Sequence, residues 1–226
     1  MAPTVTPIDF SQTPLAKNYT NFYAKIIDDV FTSEECKTIF STASENDDWK
    51  PAGLSAEGPE PTVHSSFRNS DRILRIDDTL GAMIYERLRP HVEELYEITP
   101  GSEWAGIVGK AGKKQGPTWK LVGVNARLSF LRYGPGHYFK PHCDGLNEIN
   151  GHKSFVTLHL YLNEDSEGGA TRFWTPDKKE YLDVHPKLGR VLIFQQRMLV
   201  HSGEEVTKGL KHTMRSDFMF EQISEA

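Results

Sequence analysis

Residues 137–145 read His-Tyr-Phe-Lys-Pro-His-Cys-Asp-Gly. In an extended segment His142 and Asp144, two positions apart, project from the same face. An imidazole beside a carboxylate suits a first-row metal better than it suits a hydrophobic core. The same spacing also fits a turn in which Asp144 caps a backbone N–H, so a metal needs further donors. His201 is one: it follows the apolar run Val191–Val200 and precedes Ser-Gly, at the end of an expected strand. Two histidines and one carboxylate leave three positions open on an octahedral ion, as in non-haem Fe(II) enzymes that activate O₂. Zinc prefers a tetrahedral site richer in nitrogen or sulfur. Cys143 lies between two of these residues, but alternation turns it away from them, and it is expected to be packed.

A second polar cluster follows in the run 211–220, Lys-His-Thr-Met-Arg-Ser-Asp-Phe-Met-Phe. As a strand it sets Lys211, Thr213, Arg215 and Asp217 on one face and His212, Met214, Ser216 and Phe218 on the other. Four polar side chains facing a barrel interior are costly unless they bind something; a solvated edge face is the alternative. A dicarboxylate co-substrate gives them a purpose, since a keto-acid end can chelate the metal while a cation grips the far carboxylate. Lys211 and Arg215 are the two cations on that face.

These residues need elements to position them. Phe22 to Val30 reads as a strand. Thr32 and Glu35 have the spacing of a capping box at the start of a helix, whose Cys36, Ile39 and Phe40 share one face, making Cys36 a core residue. Residues 78–96 have apolar spacings of three and four, a second helix that Pro90 should bend or break. Past Trp119 the period becomes two, and strands are expected at about 124–133, 137–142, 154–162, 170–174, 181–184, 190–195, 199–202 and 211–220. Short strands separated by Gly/Pro turns predict a mainly β protein with flanking helices (α+β) and an eight-stranded jelly-roll core. Residues 50–67 are rich in Pro, Gly and Ser and read as a long loop. The wider 50–73 segment, with Arg68, Asn69, Asp71 and Arg72, is a candidate substrate lid. Residues 1–20 are expected to be a loose N-terminal arm, ahead of a single domain over 21–226 whose β core spans about 122–220.

Composition limits the alternatives. With 226 residues, 38% apolar, 25% charged and a net charge of −5, the chain reads as a soluble globular protein. It has neither a signal-like N-terminus nor a membrane-length apolar run. Two cysteines, Cys36 and Cys143, fit a reducing compartment, so a cytoplasmic or nuclear location is expected. No basic stripe with interleaved aromatics suggests nucleic acid. His137, His152, His185 and His212 fall near turns or on outward positions and are read as surface residues. His159, on the inward face with Tyr161, is either a core histidine or a substrate contact.

Six ordered blocks carry a resemblance. They are Arg132–Gly136, Tyr138–Gly145, Tyr161–Glu164, Glu167–Phe173, Pro186–Phe194 and His201–Val206 with Gly209-Leu210-Lys211. Over residues 122–220 the chain resembles the 2-oxoglutarate- and Fe(II)-dependent dioxygenases, in particular the prolyl 4-hydroxylase-like group with its double-stranded β-helix. The resemblance implies His142, Asp144 and His201 as iron ligands and Lys211 on the distal carboxylate of 2-oxoglutarate. It also implies Tyr133, Tyr161 and Thr213 nearby, with Fe(II), 2-oxoglutarate, O₂ and ascorbate as reactants or helpers. Phe139 departs from the pattern, since a tyrosine often stands three before the first histidine. Asp144 favours hydroxylation, because a small residue there would open a halide site. The implied reaction is hydroxylation of a protein prolyl residue or a small molecule, with release of succinate and CO₂. Desaturation or ring closure by the same ligands, and a catalytically dead jelly roll that binds a partner, are the alternatives.

Overall fold

The computed structural model describes residues 2–53, 64–109 and 114–223. All eight expected core strands form there, with ends within three residues of those read from the period of two. They divide into two antiparallel sheets. In the large sheet the strands run in the order Thr4–Pro7, Ala24–Asp28, Val191–Gln195, His152–Tyr161, Lys211–Ile223, Arg127–Tyr133, Asp71–Ile76 and Lys50–Pro51. The small sheet runs Tyr181–Val184, Thr171–Trp174, His201–Gly203, Tyr138–His142 and Arg68–Asn69. Together they make the jelly roll, with alternate side chains of each strand facing inward.

The helices cover the outer face of the large sheet. Ser33–Ser44 begins at the expected capping box: the Thr32 hydroxyl accepts from the Glu35 N–H at 3.2 Å, and the Glu35 carboxylate accepts from the Thr32 N–H at 2.8 Å. Its buried side, Cys36, Ile39 and Ala43, joins Leu158, Leu160, Met214 and Phe218 in one apolar cluster. The second helix, Asp78–Leu88, is shorter than the expected 78–96. Pro90 stands in the 3₁₀ turn Arg89–His91 that follows, because a proline has no N–H to continue the ladder.

Four expectations need correction. Residues 1–20 are not a loose arm: Thr4–Pro7 pairs with Ala24–Asp28, and Phe10, Leu15 and Tyr19 are buried against Tyr161, Phe173 and Phe194. Four widely spaced apolar residues, Ile8 among them, outweigh the Pro/Thr-rich composition, since each buried side chain of this size contributes about 1.5–3 kcal/mol. The 50–73 segment is not all loop. Asp71–Ile76 is a strand of the large sheet paired along Arg127–Tyr133, and Arg68–Asn69 pairs with the strand that ends at His142; residues 54–63 of the proposed lid lie outside the described residues. His212 is not an exposed surface residue but part-buried, its ring tilted against Phe40 with centroids 4.2 Å apart, because the helix covers that face of its strand. Cys143 is exposed rather than packed. Its strand ends at His142, so the alternation used to bury it stops one residue too early.

Candidate active site

A cavity of about 530 Å³ opens between the sheets, and His142, Asp144, His201, Lys211 and Arg215 all line it. The small sheet brings the two histidines together directly. His142 and His201 are cross-strand partners, with ring centroids 4.4 Å apart. Asp144, just past the strand end, completes a set whose donor atoms lie within 4.8 Å of one another. Each imidazole is oriented by its own backbone: Nδ1 of His142 lies 2.7 Å from the Lys140 carbonyl and Nδ1 of His201 lies 3.1 Å from that of Leu199. A carbonyl only accepts, so both Nδ1 atoms carry the proton and both Nε2 lone pairs are left for a ligand. These Nε2 atoms are 3.8 and 3.7 Å from the Asp144 carboxylate.

The charges suit a cation. Burial would raise the Asp144 carboxyl, but the Arg215 guanidinium, with His201, His142 and the Thr157 hydrogen bond, holds it well below the usual carboxylate range. Burial, with His201 beside it, lowers His142 to about 3, so its imidazole is neutral at pH 7. Phe139 stacks on His142 at 3.7 Å and fixes the ring plane. This is the position where the resemblance leads one to expect a tyrosine. Two imidazoles and a carboxylate, all pre-oriented, fit a divalent transition metal.

The large sheet builds the other end. Lys211 is 2% exposed and donates to the Gly169 carbonyl at 2.6 Å. Its Nζ stands 5.2 Å from the Tyr133 ring centroid and 5.5 Å from that of Tyr161. Burial lowers the Lys211 ammonium to about 7, with Glu204 opposing. No carboxylate pairs with it among the described residues. Thr213, two residues along on the same face, has its hydroxyl buried without a partner, and so has His159 its Nε2. Buried polar atoms left this way are costly unless a ligand completes them. Gly169, at φ +68°, permits the approach: a Cβ there would stand 3.1 Å from the Lys211 side chain and 2.9 Å from that of Val206.

Arg215 sits between the two ends. It reaches Asp144 at 3.2 Å and Asp217 at 3.0 Å, so its charge is already matched. Asp217 also accepts from Asn147 and Gln196, each at 2.7 Å. Tyr161 donates to Thr171 at 2.7 Å, an ordinary satisfied hydroxyl. The sequence reading missed Thr157, whose hydroxyl donates to Asp144 at 2.6 Å. Its signal was present, for Thr157, His159 and Tyr161 alternate on one strand face.

Residues 128–216 match the family model of the 2OG-Fe(II) oxygenase superfamily. The fold is similar to that of a viral collagen prolyl hydroxylase from Paramecium bursaria Chlorella virus-1 (19% identity, TM-score 0.52, 88% of this chain and 96% of that one). It is also similar to a Pseudomonas putida prolyl-4-hydroxylase (16%, 0.57, 93% and 95%). A third similar structure is a Trichoplax adhaerens prolyl hydroxylase in complex with a hypoxia inducible factor peptide fragment (16%, 0.58, 86% and 82%). No curated protein matches the chain by sequence. Over residues 128–216 the chain is thus similar to the 2OG-Fe(II) oxygenases, a superfamily of oxidoreductases that uses Fe(II), 2-oxoglutarate and O₂. Within that class its jelly roll is prolyl 4-hydroxylase-like. No described helix is long and apolar enough to cross a membrane.

Proposed function

We propose that this chain hydroxylates an unactivated C–H bond of a protein prolyl residue or a small molecule, with 2-oxoglutarate converted to succinate and CO₂. His142 Nε2, His201 Nε2 and Asp144 hold the iron, and Lys211 holds the distal carboxylate of 2-oxoglutarate with help from the Thr213 hydroxyl. Fe(II) held there, with 2-oxoglutarate and O₂, would supply the oxidising chemistry for that hydroxylation.

The observation that carries this reading is the pairing of ends. Three pre-oriented donors lie at one side of a single cavity, and a buried cation with no acidic partner among the described residues lies at the other. A binding module would have no use for both. Arg215 is a poorer anchor, because Asp144 and Asp217 already neutralise it. Its part is to hold the Asp144 carboxylate ionised and correctly turned, together with Thr157. Phe139, Phe194 and Phe173 around the histidines restrict water at the metal.

Mass spectrometry of succinate formed from 2-oxoglutarate and Fe(II) tests the reading, run against peptide and metabolite pools. Iron-dependent succinate that is lost in Lys211→Ala at low 2-oxoglutarate is the expected result. Absence of succinate from the iron-loaded chain would overturn it.

A further inference from the structure

Lys211 and Arg215 have roles above, which leaves three cations on the same cavity. Its described lining carries Arg68, Arg72, Arg127, Lys211 and Arg215 against a single carboxylate, Asp144. Over the whole sequence the balance is reversed, with 31 acidic residues and 26 Lys and Arg. Away from the cavity, several part-buried arginines are matched by acids, Arg132 with Asp71 at 3.0 Å, Arg172 with Asp183 at 2.6 Å and Arg190 with Asp28 at 2.7 Å, while Arg75 is satisfied by the Ala43 carbonyl at 2.9 Å. Among the described residues Arg72 and Arg127 have no such partner. Arg68 leans over the Phe139 ring at 4.5 Å and donates to Ser70 at 3.2 Å. Burial, and the repulsion of Arg68 and Arg127, lower the Arg72 guanidinium from its ordinary value. Like charges gathered on a cavity wall are unfavourable until an anion lies among them.

Strand register gives the remainder of the surface. Arg72 lies opposite Leu131, Leu74 opposite Ser129 and Ile76 opposite Arg127. Leu131, Ser129 and Arg127 line the cavity, and cross-strand partners share a face. Leu74 and Ile76 therefore continue the cavity wall outward, and they are 42% and 69% exposed. Leu146, 39% exposed, belongs to the lining as well. The result is an apolar stripe beside two arginines that have no acidic partner among the described residues.

We propose that the substrate is an organic anion with an apolar body, its carboxylate or phosphate bound by Arg72 and Arg127 and its body laid on Leu74, Ile76 and Leu146. This deepens the function proposed above and rests on it, since it takes this cavity as the reaction site. A volume of about 530 Å³ suits a small molecule held beside 2-oxoglutarate.

Calorimetric titration of the full chain, loaded with Mn(II) and saturating 2-oxoglutarate, reads binding without turnover and keeps the probes off Lys211. The probes are 4-phenylbutyrate, 3-phenylpropyl phosphate, neutral 4-phenylbutyramide and the blocked peptide acetyl-Gly-Pro-Gly-amide. At least one anion should bind about ten-fold or more tighter than the amide, a charge-assisted pair's usual worth, and the better of the two identifies the anionic group. Arg72→Gln and Arg127→Gln should each erase most of that preference without changing the amide's affinity, and Arg72→Lys should retain most of it. The proposal is overturned if amide or peptide binds as tightly as both anions, if the preference survives in both Gln variants, or if no probe binds. Succinate formation is followed in parallel. Iron-dependent succinate without anion preference removes the arginine cradle alone, whereas anion preference without succinate removes the oxygenase reading of the site.

Discussion

The small sheet and the large sheet serve the cavity in different ways. In the small sheet the pair His142 and His201 exists only because two short strands, distant in sequence, meet in one register. In the large sheet Lys211, Thr213 and Arg215 come from a single strand whose period of two already places them together. A slip of one residue between the small-sheet strands would turn one histidine away from the other. The same slip around the Lys211 strand would move a whole row of groups as a unit. The His142–His201 end is thus the register-dependent half, and the Lys211 end is the half set by local alternation.

The largest expected effects lie at the register-dependent end. His142→Ala, Asp144→Ala and His201→Ala should each abolish succinate formation and bound Fe(II), measured as metal content, while circular dichroism shows the fold retained. Full succinate formation by Asp144→Ala at saturating iron would break the assignment of the set.

At the other end, Lys211→Ala should raise the apparent KM for 2-oxoglutarate far more than Arg215→Ala does. Losing a buried charge-assisted pair costs on the order of 2–5 kcal/mol, so about thirty-fold or more is expected. Arg215→Ala should weaken iron binding instead, through Asp144. If the two variants exchange these effects, the anchor belongs to Arg215.

Thr157→Val sharpens the comparison, because a large-sheet residue there supports a ligand beside the small sheet. Removing the 2.6 Å hydrogen bond to Asp144 should lower Fe(II) affinity about ten-fold, read by metal titration, with KM for 2-oxoglutarate little changed. An unchanged metal affinity would show that Arg215 alone positions the carboxylate.

The smallest effect is one of pH. Burial lowers Lys211 from 10.5 to about 7 in the folded chain. Its charged form is therefore disfavoured by folding: the cost is full below pH 7 and is relieved as pH rises from about 7 toward 10.5, so this group makes stability increase with pH over that window. Binding of 2-oxoglutarate requires the protonated form and should change in the opposite direction, weakening about five-fold from pH 7 to pH 8. Calorimetric titration of 2-oxoglutarate should show that slope in the native chain and none in Lys211→Met.

Much of this was legible without a structure. The period of two beyond Trp119 located the core strands, and the helix cap at Thr32 and the break at Pro90 followed from local chemistry. That His142, Asp144, His201 and Lys211 could share one cavity was readable because residue type, strand-end position and alternation are local properties. The packing of residues 1–20 was not, since Phe10, Leu15 and Tyr19 find their partners far along the chain. Nor were the exposure of Cys143 and the covering of His212, which depend on where a strand stops and on which helix lies over it.

The sequence by itself determined which groups are present and which share a strand face, because side-chain direction alternates with the backbone. Only the tertiary structure decided how those groups divide their partners. It sets Arg215 between Asp144 and Asp217, leaves Lys211 without an acid among the described residues, and lays Arg72 and Arg127 along one wall. Charge pairing depends on distances of a few ångströms across strands remote in sequence, and those are fixed by register and packing rather than by any local pattern.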